Sequence, residues 1–329
     1  MSLRRLPLLL TCLLLALAAC RRPWNGTDAA INVSIMPRPS AEPAGGWEPL
    51  LADMAKATGR RVERFPGASD AALIDALRFK QTDLGWFDPA SALEAVRRGG
   101  GEVFARTVRP SAPEGDRAVI IARKGSGLTL ERLLKCDRSV TFGLGEARSI
   151  SGVRAPDAYL FAPRDIDPAT CFKSVRAASH ESNFYGVSAG VLDAAVNDTV
   201  SLARFSAQDA PTGSRSLAPI EVIWTSPPIP DETLVWRKDL DPALKARIAQ
   251  FLFRYGVGEG REAERQRAVL KRIDAHLFAP ADDRELLPLR EMEASERLRR
   301  ATARRDPAAI QAAKAELESL AAVRAGAHP

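Results

Sequence analysis

Short runs rich in β-branched and aromatic residues alternate along the chain with stretches whose apolar residues recur at helical spacing. Ile31–Met36 predicts a strand, and Trp47–Thr58 an amphipathic helix that Gly59 ends. Arg61–Phe65 and Leu84–Phe87 read as strands, each followed by a helix, over Asp70–Phe79 and Pro89–Arg98. Val119–Ala122, Val140–Leu144, Ser174–Ala178 and Val191–Val196 predict further strands, with a short helix over Leu128–Leu134 among their connections. Glu221–Thr225 and Thr233–Trp236 follow as strands, and helices over Pro242–Tyr255 and Glu262–Ile273 close the globular part. This alternation argues for α/β architecture with largely parallel sheets.

The two ends break the pattern. From Leu286 onward the chain is charged and alanine-rich, with helices predicted over Met292–Ala303 and Ala308–Val323 on either side of Asp306-Pro307. In the last one Ile310, Ala313, Leu317 and Leu320 form a narrow stripe. Such a stripe suits a partner helix, as in a homodimer through the C-terminal helices, and suits packing back on the chain's own lobe equally well. At the other end Arg4 and Arg5 precede an apolar run, Leu6–Ala19. That run is shorter than the roughly 20 residues a membrane-spanning helix needs. It ends in Leu17-Ala18-Ala19-Cys20, which resembles a bacterial lipobox. The resemblance implies a lipoprotein signal peptide over 1–19 and a lipidated Cys20 as the new N-terminus. Arg21, in place of Asp, after Cys20 favours outer-membrane sorting of a periplasmic, lipid-anchored protein. Residues 20–30 read as a tether.

Composition narrows the class. The 329-residue chain is 46% apolar, enough for real cores in about two domains. Its net charge of +6 includes Arg4 and Arg5, and the remaining cations are interspersed with acids. No basic cluster carries interleaved aromatics, which argues against nucleic acid as a partner. Of four cysteines, Cys12 leaves with the signal and Cys20 is lipidated, so Cys136 and Cys171 remain. In an oxidising compartment this pair is a disulfide candidate. Each lies just before an apolar run, so a bond and two separated thiols both stay open.

Three segments place polar groups where a strand gives way to a helix, which is where open α/β sheets bind ligands. Gly143-Leu-Gly-Glu-Ala-Arg-Ser-Ile-Ser-Gly152 runs from a strand into a glycine-containing loop, and Ser149, Ser151 and Gly152 then open a helix. Backbone N–H groups, the helix dipole and two hydroxyls suit an anion there, although Ser149 can serve as a cap alone. Ser179-His180-Glu-Ser-Asn183 sits at a second junction, where His180 can donate to an oxyanion. In Asp83-Leu-Gly-Trp-Phe-Asp-Pro-Ala-Ser91 the rings of Trp86 and Phe87 would wall a pocket, and Asp88 with Pro89 reads first as a cap. His-Glu-x-x-His, Cys-x-x-Cys and P-loop patterns are missing from the chain, so no enzyme class, metal site or cofactor is indicated.

Taken in order, these segments resemble the phosphonate-binding proteins of ABC transporters, within the wider phosphate, phosphite and phosphonate group. The resemblance runs from about Ile31 to Arg290. It is carried by Asp83–Val96, Ser149-Ile-Ser-Gly152, His180-Glu-Ser-Asn183 with Gly190-Val-Leu-Asp193, Val222–Pro230 and Leu234-Val-Trp-Arg237. It implies a two-lobed clamshell: lobe 1 over 31–117 and 222–290, lobe 2 over 118–221, hinge strands near Arg117–Ala122 and Glu221–Pro227, and a C-terminal helical extension over 291–329. It also implies that a small phosphorus oxyanion rests on Ser149, Ile150, Ser151 and Gly152 with His180 as an added donor, and is passed to permease and ATPase subunits. Ile150 stands where the family usually has Thr. Two ligand-contacting tyrosines of the family fall on Asp70 and Phe87, and of two acids that hold an amino group one is Val200 and the other Glu232. The tail site is thereby altered, which puts 2-aminoethylphosphonate in doubt. A phosphate- or phosphite-binding protein, a periplasmic sensor, and a serine hydrolase using Ser149 or Ser151 with His180 are the competing readings.

Overall fold

The computed structural model describes residues 30–35, 46–67, 69–110, 112–147, 149–207 and 218–326. Cys20, with the expected signal peptide and all but the last residue of the tether, lies outside them. The described chain forms two lobes, each a mixed sheet covered by helices. In lobe 1 the strand order is β11-β4-β10-β3-β1-β2, and in lobe 2 it is β7-β6-β8-β5-β9. The strands are β1 Ile31–Ile35, β2 Val62–Phe65, β3 Leu84–Phe87, β4 Gly101–Val108, β5 Ala118–Arg123, β6 Thr141–Leu144, β7 Ser174–Ala177, β8 Ala194–Asp198, β9 Ile220–Thr225, β10 Thr233–Arg237 and β11 Leu277–Pro280.

The expectation of largely parallel sheets needs correction. β1 pairs in parallel with β2 and β3, and β6 with β7 and β8. β10 runs antiparallel to β3 and β4, β11 to β4, and β5 to β8 and β9. The parallel pairs belong to strand–helix–strand units. The antiparallel ones are strands the chain uses to leave or re-enter a lobe, and helical crossovers do not constrain them.

Alternation along β5 shows how lobe 2 is built. Ile120 and Ala122 face one core with Phe142, Leu160, Phe161 and Phe172. Val119 and Ile121 face the other, with Phe184, Val187, Leu192 and Phe205. A strand buried on both faces must be apolar, and β5 is apolar and buried from Ala118 to Ala122, with only its last residue, Arg123, exposed. Cys136 and Cys171 precede β6 and β7, which are neighbours, and a disulfide joins them with Cα atoms 4.1 Å apart.

The chain crosses between lobes after β4 and after β9. β9 stays in the lobe 2 sheet through Thr225, so the expected boundary at 221/222 falls inside a strand, and the crossovers are residues 109–117 and 226–232. Asp116 and Ile229 pair as an isolated bridge, the Ile229 N–H donating to the Asp116 carbonyl at 2.7 Å. Residues Leu287–Ala303 form one helix and Pro307–Ala325 another. Leu320 and Leu317 of the second pack on Leu287 and Ala294 of the first, and Ala313 is buried too. The C-terminal stripe is therefore engaged within its own chain. Glu293 of the first helix lies 2.9 Å from Arg97 in lobe 1 and 4.0 Å from Arg154 in lobe 2.

Candidate functional site

The loop after β6 and the helical stretch that follows are held together by two glycines. A Cβ on Gly145 would lie 2.4 Å from Gly152 Cα, and one on Gly152 would lie 2.6 Å from Gly145 Cα. Only residues without side chains allow this approach, and the Gly145 N–H donates to the Gly152 carbonyl at 2.9 Å. Ser149, in extended conformation, caps the helix by accepting from the Gly152 N–H at 2.8 Å. The Val153 and Arg154 N–H groups both reach the Ser149 carbonyl at 3.2 Å. The N–H groups of Ile150 and Ser151 make no bond to the described residues, and they are the donors left at this end. Ile150–Arg154 and Asp157–Phe161 are π-helical turns, wider than the α-helix expected here. Ile150 is partly buried and packs both on the lobe 1 core and on the cluster at the crossover.

His180 enters from the next strand–helix junction. Ser179 caps the helix His180–Ser188 through the Ser182 N–H at 3.2 Å. The His180 Nε2 atom is 3.0 Å from Ser151 Oγ and 3.2 Å from Asp198 Oδ2. A hydrolytic Ser–His–Asp relay needs the serine and the carboxylate on opposite ring nitrogens. Here both face the same one, and Nδ1 is buried without a partner among the described residues, so this is not such a relay. Asn183, fully buried, ties the junctions together: its Nδ2 donates to the Leu144 and Val196 carbonyls at 3.0 and 3.1 Å. Behind Asp198 lies Asp116, which accepts from the Thr199 hydroxyl at 2.7 Å. Burial, and then the Asp198 carboxylate, push the Asp116 carboxyl up from its ordinary range.

The lobe 1 side differs from expectation. Phe87 is 0% exposed and belongs to the core, its ring folded over Gly85. Trp86 is buried against Trp47 and donates from Nε1 to the Thr107 hydroxyl at 3.0 Å. Both rings are buried among the described residues. Both support from below the helix start where Asp88 accepts from the Ala90 and Ser91 N–H groups. Asp70 opens the neighbouring helix and lies 3.2 Å from the Ser91 hydroxyl, whose single proton is shared with Asp88 at 2.9 Å. Glu232 is not an open acid: Arg109 pairs with it at 2.8 Å and with Asp231 at 3.1 Å. The Val200 N–H points to Asp116 at 3.3 Å.

Sequence reasoning missed Asp198 and Arg109. The signal for Asp198 is its place at the end of β8, beside β6, which puts it at the same sheet edge as Ser149 and His180. Arg109 carries no such signal, since its partners are more than 120 residues away.

Known proteins with this arrangement are specific in kind. Residues 33–286 match the family described as the periplasmic substrate-binding protein of phosphonate ABC transporters. The phosphonates-binding periplasmic protein of Escherichia coli (strain K12) is 36% identical over 247 residues, 75% of this chain and 70% of the relative. The crystal structure of a binding-protein component of an ABC phosphonate transporter from Pseudomonas aeruginosa has a TM-score of 0.58 and 33% identity, covering 91% of this chain and 99% of that one. A Prochlorococcus marinus protein solved with methylphosphonate shares the fold at a TM-score of 0.50 and 17% identity, over 80% of this chain and 96% of its own. With 254 consecutive residues matched and one-third identity over most of its length, the chain belongs to the phosphonate-binding periplasmic substrate-binding proteins of ABC transporters.

Proposed function

We propose that this chain is a non-catalytic lipoprotein, anchored through Cys20 in the outer membrane's periplasmic leaflet, which captures a small phosphonate for import by permease and ATPase subunits. The observation that carries the reading is the donor set on lobe 2, the Ile150 and Ser151 N–H groups with the Ser149 and Ser151 hydroxyls, and the His180 ring lies against the Ser151 hydroxyl. Lobe closure about residues 109–117 and 226–232 would bring Asp70 and the lobe 1 helix starts onto the rest of the ligand. Arg109 on Glu232, with Val200 in place of an acid, supports a ligand without an amino group, such as methylphosphonate or phosphite. Because the C-terminal stripe is spent within the chain, a homodimer would have to use the outer face of that hairpin.

A thermal-shift panel tests this reading. Methylphosphonate or phosphite should raise the melting temperature by mass action, more than 2-aminoethylphosphonate does at equal concentration. Ser149→Ala with Ser151→Ala should weaken binding by about 1–3 kcal/mol or more. An unchanged affinity in that double variant would place the head group elsewhere. For the anchor, Cys20→Ser should release the protein from the membrane fraction.

A further inference from the structure

The contacts of His180 assign a role to a residue outside the donor set. An ionised carboxylate only accepts hydrogen bonds. The 3.2 Å contact between Asp198 Oδ2 and His180 Nε2 is therefore a hydrogen bond only when Nε2 carries a proton, whether the ring is neutral or cationic. A protonated Nε2 has no lone pair to offer. The Ser151 hydroxyl, 3.0 Å from the same nitrogen, then cannot donate to the ring, and its proton is left for another acceptor. With Nε2 unprotonated the outcome reverses: the ring accepts the Ser151 proton, and a lone pair of Ser151 faces the anion.

Asp198 is built to hold the first arrangement. It ends β8, is buried, and its Oδ1 accepts from the Ser201 N–H at 2.6 Å, leaving Oδ2 aimed at the ring. The ring's own backbone is fixed, because the Asn197 amide donates to the His180 carbonyl at 2.9 Å. The other carboxyl facing Asp198, Asp116, is occupied by the Thr199 hydroxyl and the Arg117 and Val200 N–H groups, so it does not take the ring's place.

We propose that Asp198 is a positioning residue that keeps the proton on His180 Nε2 and thereby turns the Ser151 hydroxyl toward the bound anion. This rests on the head-group reading above and extends it by one residue. Asp198→Asn keeps the shape and the Ser201 contact but lets the amide donate to Nε2, which moves the ring proton to Nδ1.

The test has a spectroscopic arm and a binding arm, on the mature protein. The chain has three histidines, so ring ¹⁵N spectra are readily assigned with His→Gln variants at 276 and 328. Wild type should show Nε2 of His180 protonated, and Asp198→Asn should show it unprotonated. Calorimetry with methylphosphonate and, separately, inorganic phosphate should find the Asp198→Asn affinity lower by roughly tenfold to a hundredfold, the factor carried by one hydrogen bond to a charged group. Adding Ser151→Ala should then cost little more than Ser151→Ala alone. An unprotonated Nε2 in wild type, an unchanged affinity, or fully additive losses would overturn the assignment. Should Asp198→Asn not fold, the wild-type ring spectrum decides by itself. Failure of both anions to bind wild type would count against the head-group reading, and the ring spectrum would still test Asp198.

Discussion

Gly152→Ala removes no donor and no charge, yet the geometry predicts that it disables the site. Its Cβ would sit 2.6 Å from Gly145 Cα and 2.8 Å from Ser149 Oγ. Ordinary carbon–carbon contact is about 3.5–4.0 Å, so the overlap is on the order of 1 Å. The obstacle on one side is backbone, which cannot rotate aside, and the Gly145–Gly152 hydrogen bond holds it in place. The loop must open by about that distance. Overpacking of this kind costs about 1–3 kcal/mol of stability. Moving the Ile150 and Ser151 N–H groups off the anion removes about 1.5–3 kcal/mol of binding per hydrogen bond, roughly ten- to a hundredfold each. Calorimetric titration with methylphosphonate, beside thermal unfolding, reads both effects. Gly186→Ala is the control: its Cβ meets only the Leu192 side chain, at 2.9 Å, so stability should fall while affinity holds. A Gly152→Ala protein that binds within twofold of wild type would refute the loop-against-helix reasoning.

Other perturbations follow from the same geometry. Asp116 has its carboxyl raised by burial and by Asp198, so its contribution to stability is full below the unfolded value and lost as pH rises through the folded one. Asp116→Asn should therefore raise the melting temperature over wild type more at pH 8 than at pH 4; an equal change at both would contradict this. The Cys136–Cys171 bond closes a loop with a sequence separation of 35 at the ends of β6 and β7 away from the site. Replacing both by serine should cost about 3–4 kcal/mol on the chain-entropy account, with affinity unchanged, which denaturant titration and calorimetry would check. Arg109→Gln removes the Arg109 guanidinium from two buried acids, Asp231 and Glu232. It should destabilise by roughly 3 kcal/mol and shift preference toward 2-aminoethylphosphonate in a competition assay; an unchanged ratio would remove Glu232 from the tail site.

The strand–helix units were legible because their signals are local. β5 is apolar on both faces, Gly59 ends a helix in the left-handed conformation, and Ser69, Asp88, Ser149 and Ser179 all cap the helices that follow them. β4 was not legible: Gly101-Glu-Val-Phe-Ala-Arg-Thr-Val108 starts on the last of three consecutive glycines, and it is a strand because β10 and β11, far along the chain, pair with it. Strand direction escaped for the same reason, since alternation carries no direction. Within the site, Ser149, Ser151, Gly152 and His180 fall together at one sheet edge because each sits at a strand–helix junction. Phe87 misled because an aromatic at a strand end suits a pocket wall as well as a core, and only the glycine at position 85 shows which way the ring folds. Glu232 misled because a paired and an open carboxylate have the same sequence.

The central claim is that the anion rests on the N–H groups of Ile150 and Ser151. Amide ¹H–¹⁵N spectra during a methylphosphonate titration test it most directly. The largest downfield shifts should fall on those two residues, with the Ser151 and His180 side chains responding at the same midpoint that calorimetry gives. Binding that leaves the Ile150 and Ser151 amides unmoved would contradict the account.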